Sequence, residues 1–212
     1  MKKSLLNIAL TSLLATTTFI STQASATGIE GLTTNVGVVS QYIFRGVSQT
    51  DNASASAGVD YENGDFSVGT WIADVGDGLE VDLYGSYGVE LDSGLGLSAG
   101  FTTYQYTGDF DTQYNEINLG ASYDYFTIAY NIGTWEIEGG PDQDYTFLSI
   151  TAEYEGFYAT YGNWGDELDG DYVEFGYGTD VSGFDVGVSL VINSKELGHA
   201  DEALVFSLAK SF

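Results

Sequence analysis

The chain has 212 residues with 31 acidic and five basic side chains, a formal net charge of −26 that makes nucleic acid and anionic lipid poor partners and cations good ones. It has no cysteine, so there is no disulfide framework, and at 43% hydrophobic residues it is not compositionally disordered. Gly 28, Tyr 16 and Phe 12 beside a single proline suit a β-barrel wall, where rings pack over glycines.

The first element is residues 1–26. Lys2 and Lys3 precede a mostly apolar stretch from Leu5 to Ile20, and Ala24-Ser25-Ala26 forms an A-x-A site. This pattern predicts a secretory signal peptide cleaved after Ala26, leaving residues 27–212 as a barrel domain. The other reading, an uncleaved anchor helix, fits less well because the apolar core is short and ends in small polar residues. Beyond it no apolar run is long enough for a transmembrane helix. A transmembrane barrel would show none, since its hydrophobicity sits in every second residue.

From there alternation with a period of two runs almost to the C-terminus. It predicts twelve strands at roughly 33–45, 53–62, 65–75, 80–91, 95–106, 113–124, 126–136, 145–155, 157–164, 171–181, 184–193 and 203–212. Tight turns are signalled at Glu62-Asn63-Gly64, Asp92-Ser93-Gly94, Asp124-Tyr125, Glu155-Gly156 and Ser182-Gly183. Looser, acid-rich links alternate with them at 46–52, 76–79, 107–112, 137–144, 165–170 and 194–202. Short turns at one end, longer loops at the other and an even strand count predict an all-β fold: a transmembrane antiparallel up-and-down β-barrel of about 12 strands. A soluble β-sandwich or barrel also alternates, but it does not explain strands this long with polar faces of Gly, Ser, Asp and Glu.

In the first predicted strand Val36, Val38, Tyr42 and Phe44 share one face, and Gln41, Ile43 and Arg45 the other. A barrel reading puts Tyr42 and Phe44 in the lipid interface and turns Arg45 into the lumen near the outer end, because arginine on the lipid side is costly. The same parity turns Asp60, Asp82, Glu90, Glu116, Asp124, Glu153, Glu174, Asp180 and Asp185 inward. Arg45 is then either a wall clamp held by a carboxylate such as Glu116 or Glu174, or part of a charged constriction. Inward Trp71, Tyr84, Tyr104, Tyr106 and Trp135 would narrow the lumen further. In the last strand Leu204, Phe206, Leu208 and Phe212 alternate up to the terminus, resembling the β-signal read by the barrel-assembly machinery. Lys210 lies on their face, where it can snorkel to the interface.

Residues 39–75 carry a more specific pattern. Tyr42, Phe44, Arg45, Gly46, Ser48, Gln49, Thr50 and Asp51 form one run, followed by Gly58, Asp60-Tyr61 and Gly69-x-Trp71. This run resembles the TorF-type family of proteobacterial porins, conserved hypothetical proteins of the outer membrane. The strand at 80–88 and the ending "AKSF" also fit, while Thr107 stands where the family pattern has proline. The resemblance implies an outer-membrane barrel of a Gram-negative bacterium with a porin role. It implies neither a particular substrate nor catalytic residues.

The remaining chemistry is sparse. The acidic loops 76–82, 108–113, 136–144 and 165–171 place oxygens at i, i+2 and i+4, as Ca²⁺ sites do, but lack the EF-hand spacing, and a solvated acidic surface accounts for them. Divalent cations could bridge these loops to lipopolysaccharide. His199, the single histidine, has Asp201 near it and no serine in a nucleophile motif, so no enzyme, cofactor or metal centre is expected. The expected partners are outer-membrane lipid and lipopolysaccharide, the assembly machinery during biogenesis, and small solutes or cations. The expected function is passive diffusion of small polar solutes or cations through a narrow acidic lumen. The alternative is a plugged, non-conducting barrel whose acidic loops bind cations or partners.

Overall fold

A computed structural model describes residues 29–198 and 202–212; the predicted signal peptide and the His199–Asp201 pair lie outside this range. The strands are β1 (Leu32–Val39), β2 (Ile43–Phe44), β3 (Val47–Ser48), β4 (Ser54–Asn63), β5 (Phe66–Asp74), β6 (Leu79–Glu90) and β7 (Gly96–Tyr106). They continue as β8 (Tyr114–Tyr123), β9 (Phe126–Trp135), β10 (Gln143–Tyr154), β11 (Phe157–Asp166), β12 (Gly170–Asp180), β13 (Asp185–Asn193) and β14 (Glu202–Ser211). Lys195–Leu197 form a single 3₁₀ turn. All strands except β2 and β3 close into one antiparallel barrel in chain order, with β1 paired to β14. The seam is completed by Phe212, whose N–H donates to the Thr34 carbonyl at 2.8 Å and whose carbonyl accepts the Thr34 N–H at 3.2 Å. Closure leaves no open sheet edge, which is what allows a β-structure to span lipid.

The twelve predicted strands are therefore all present, and their ends agree to within two residues except at one place. The first strand stops at Val39, not at 45. Ser40 still pairs with the wall, its N–H donating to the Phe206 carbonyl at 2.8 Å. The chain then leaves the wall and enters the barrel. Arg45 and Gly46 have φ of 49° and 82°, and Phe44 pairs with Val47 across them. Two consecutive left-handed residues between paired strands make a type I′ hairpin turn, whose twist matches that of the flanking strands. The placement of Tyr42 and Phe44 in the lipid interface is thus corrected: Tyr42 is 4% exposed inside the barrel, and Phe44 packs its ring edge against Tyr104 at 5.5 Å.

The aromatic girdle is elsewhere. Tyr61, Phe66, Tyr87, Tyr123, Phe126, Tyr154, Phe157, Tyr177 and Phe184 are exposed on the outer face beside the short turns. Between this belt and the long loops the outer face is apolar, with Val38, Leu83, Ile117, Leu119, Ile132, Ile150 and Leu204 exposed beside Phe101, Tyr130, Phe175 and Phe206. Water would penalise such a surface, and lipid solvates it. The Lys210 ammonium lies 4.7 Å from the Phe184 ring centroid and 5.3 Å from that of Phe212, so it sits in the belt rather than in the apolar zone beyond it. Among the described residues no helix is long and apolar enough to cross a membrane; the crossing elements are strands.

Inside, alternation sets up two unlike halves. Toward the short turns the inward residues are small, including Ser67, Ser86, Ser98, Gly100, Gly120, Thr151 and Thr160. Toward the long loops they are large, and Tyr145, Phe147, Trp164 and Tyr172 form a buried cluster with Ile43 of the hairpin. Large rings fit because glycine faces them across the ladder. Gly133 pairs with Tyr145, Gly162 with Tyr172, Gly176 with Tyr158 and Gly69 with Tyr84. A Cβ on Gly176 would fall inside the Tyr158 ring, whereas one on Gly178, two residues along the same face, has nothing closer than 3.9 Å. Gly176→Ala is expected to destabilise the barrel by about 1–3 kcal/mol through overpacking, and Gly178→Ala to be near neutral. Heat-modifiable migration on gels, followed with temperature, measures both.

Candidate functional site

The site is the hairpin of residues 40–53 and the wall it touches. Its base is tied locally: Gln41 Nε2 donates to Ser48 Oγ at 2.9 Å, and the Tyr42 N–H donates to Thr50 Oγ1 at 2.9 Å. The Gln49 N–H donates to the Tyr42 carbonyl at 2.8 Å. The Tyr42–Thr50 run of the sequence motif is therefore the hairpin itself, with Ser48, Gln49 and Thr50 supplying the bonds that fold it. Asp51 is exposed beyond it. Trp71 meets Tyr42 ring edge to face at 5.6 Å and so joins the motif to the wall.

The tip is tied to β7, β8, β10, β11 and β13. Arg45 donates from both terminal nitrogens to Glu116, at 2.5 and 3.0 Å. Of the two partners the sequence offers, Glu116 is the one that pairs. Glu116 also accepts from the Tyr104 hydroxyl at 3.0 Å, the Tyr145 hydroxyl at 2.9 Å and Asn118 Nδ2 at 3.0 Å. The Arg45 guanidinium carbon lies 4.7 Å from the Phe44 ring centroid and 4.4 Å from that of Phe147, so π-faces as well as a carboxylate stabilise the cation. Trp164 Nε1 donates to the Arg45 carbonyl at 3.0 Å, and Asn193 Nδ2 to the Gly46 carbonyl at 3.2 Å. Burial works against the Arg45 charge, but the Glu116 carboxylate outweighs it and holds the guanidinium protonated above its ordinary range.

The other inward acids fall into two groups. Asp82 and Glu174 are 0% and 1% exposed in the barrel wall. Neither Asp82 oxygen has a hydrogen-bond partner, while Glu174 accepts from the Tyr158 hydroxyl at 2.6 Å through Oε1 and leaves Oε2 unpartnered. Asp60, Glu153 and Asp185 lie in the half nearer the short turns and are partly accessible. Asp60 accepts from the Tyr84 hydroxyl at 2.5 Å and from Asn35 Nδ2 at 3.3 Å. Asp124 is corrected to a turn position: it has φ 54° and lies exposed between β8 and β9, because the two-residue link there takes it out of the wall. Glu90 and Asp180 are exposed strand ends.

Glu80 was missed by the sequence reading. It is 1% exposed and accepts from the Tyr42 hydroxyl at 2.9 Å. The signal was present, since Glu80 shares the parity of Asp82. The polar ladder from Thr102 to Asn118 (2.8 Å) and from Asn118 to Asn131 (3.2 Å) was also missed, because neutral amides give no charge cue. Among the described residues no group of three His, Cys, Asp or Glu side chains is arranged to hold a metal ion.

A closed up-and-down barrel of twelve antiparallel strands, apolar outside and polar within, is a transmembrane β-barrel. The chain belongs to the family described as "Bacterial protein of unknown function (Gcw_chp)", whose model matches residues 23–189. That description does not carry the TorF-type designation, so the porin role implied by the 39–75 motif remains a matter of function to be proposed. No curated protein matches the chain. A solved structure reported as "Unveiling the Mechanism Behind the in-meso Crystallization of Membrane Proteins" is similar with TM-score 0.57 at 13% identity, over 85% of this chain and 83% of that one. This likeness is one of fold. OccAB3 of Acinetobacter baumannii is similar with TM-score 0.45 at 12% identity, over 88% of this chain and 66% of that one. The outer membrane protein OprD of Pseudomonas aeruginosa is similar with TM-score 0.43 at 14% identity, over 87% and 65%.

Proposed function

We propose that the protein is a porin of a Gram-negative outer membrane, reached after signal-peptide cleavage, that passes small cations through a lumen narrowed by the 40–53 hairpin. The observation that carries this reading is the imbalance of acidic over basic side chains inside the wall. Among the described residues Glu80, Asp82, Glu116 and Glu174 are all buried on the inner side, against Arg45 alone. Only Glu116 is neutralised by that arginine. Ionised carboxylates set behind the inner surface without a counter-charge lower the energy of a cation in the lumen and raise that of an anion. The long loops would face outward and the short turns inward to the periplasm. The outward-facing Phe206 and Leu208, with Phe212 at the seam, would present the β-signal to the assembly machinery, and the acidic loops would meet lipopolysaccharide through divalent cations.

In planar bilayers the refolded barrel is expected to give small conductance steps with K⁺ preferred over Cl⁻. A preference for Cl⁻ would sink this reading. A second reading, a barrel that does not conduct in its resting state, is favoured by one observation: Arg45 and its ring neighbours are packed across the interior beneath the long loops. Silence in the bilayer would support it, and the two variants argued in the Discussion separate a closed gate from a permanent plug.

A further inference from the structure

Above the hairpin, on the long-loop side, is a cavity of about 470 Å³ that the charge argument does not use. Its size falls in the ordinary range for small-molecule sites. One wall is the Tyr114–Trp135 stack, with ring centroids 5.4 Å apart and planes 3° from parallel. The floor includes Tyr104 and Trp164, the rings that also surround Arg45. The rim carries Asp111, Asp169 and Glu196, and no Lys, Arg or His is among the described residues that line the cavity.

The rim is fixed to the aromatic wall. Asp111 accepts from the Tyr114 hydroxyl at 2.8 Å through Oδ2 and from Trp135 Nε1 at 3.2 Å through Oδ1. One carboxylate thereby orients both rings of the stack. Glu196 is held below the usual carboxylate range by its own backbone N–H and by the Ser194 hydroxyl. The Arg45 charge beneath is already matched by Glu116. An aromatic-lined cavity whose charged lining, among the described residues, is acidic selects on two criteria at once: an apolar or aromatic body to fill it, and a positive charge to face the rim.

We propose that this cavity is a binding site for small organic cations, ammonium or guanidinium compounds with an aromatic or apolar body. The proposal does not depend on conduction, because binding is read in the absence of a membrane potential. Trp135 and Trp164 both line the cavity, so intrinsic fluorescence reports occupancy. Benzyltrimethylammonium titrated into the detergent-folded full barrel is expected to change that fluorescence saturably, with an apparent Kd about tenfold or more below that of benzyl alcohol, and benzoate is expected to bind more weakly still. Asp111→Asn with Asp169→Asn should weaken the cation by about tenfold and leave benzyl alcohol unchanged. Asparagine keeps an acceptor at Asp111, and heat-modifiable migration checks that the variant is folded. Glu196→Gln, on a 3₁₀ turn with no buried residue, provides a variant outside the barrel wall and should weaken the cation in the same direction. Equal affinity for the three probes, or cation binding indifferent to all the rim variants, as uptake by detergent would be, overturns the proposal.

Discussion

Glu116→Ala is expected to open the barrel. Five hydrogen bonds converge on this carboxylate, two from Arg45 and one each from Tyr104, Tyr145 and Asn118. Arg45 and Glu116 side chains are 6% and 0% exposed, so removal of the acid leaves a guanidinium buried without its counter-charge. Breaking such a pair from one side costs about 3–5 kcal/mol. The hairpin can avoid most of that cost by withdrawing toward water at the long-loop end, giving up the weaker bonds from Trp164, Asn193 and Tyr42 as it goes. The expected results are a higher unitary conductance and a lower unfolding temperature than the parent. Glu116→Gln keeps an acceptor and should show the same changes in weaker form. Arg45→Met with Glu116→Leu removes both charges and fills the space with apolar groups, and replacements of that kind are often neutral or stabilising. The double variant should therefore return to the low-conductance state. A Glu116→Ala barrel that melts lower but conducts as the parent does would show that the hairpin stays in place and that the pair is structural only.

The second large effect is expected from replacing residues 41–51 with a short Gly-Ser linker. This removes Arg45 and every hairpin contact while leaving β1 and β4 paired through Val39 and Ser54. Conductance should rise several-fold. Cation preference should rise as well, since the buried Arg45 charge is gone and Glu80, Asp82, Glu116 and Glu174 remain. Asp82→Asn with Glu174→Gln in the linker variant should then bring the K⁺ to Cl⁻ permeability ratio, read from reversal potentials in a salt gradient, back toward one. A linker variant that stays silent would place the obstruction in the wall aromatics and exclude the hairpin as the gate.

The wall was legible in the sequence because its information is local. A period of two fixes each side chain's face, and tight turns such as Glu155-Gly156 and Ser182-Gly183 mark where strands reverse. Both of those pairs have left-handed backbones at each residue. Arg45-Gly46 is the same kind of pair, with the same backbone, and was read as the end of a strand. Alternation hid it. Tyr42 and Phe44 keep the parity of Val36 and Val38, so a chain that had already left the wall still scored as wall. The Arg45 to Glu116 pairing could be anticipated from charge scarcity and parity. Its bonding to Tyr104 and Tyr145 could not, since those depend on how far the hairpin reaches across the interior. Asp82, a correct inward position, likewise gave no sign that both its oxygens would lack protein partners.

The hairpin also acts as a gauge of circumference. It arises between β1 and β4 and is bonded to Glu80 on β6, Glu116 on β8, Trp164 on β11 and Asn193 on β13. These anchors lie around most of the ring. A barrel's diameter grows with its strand number, so in a ring with one hairpin fewer or more these four anchors would no longer converge on a single central segment. The spokes are satisfied together only in a ring of this size. The hairpin and the ring are thus matched in size, and the seam between β1 and β14 closes the wall around a segment of fitting reach.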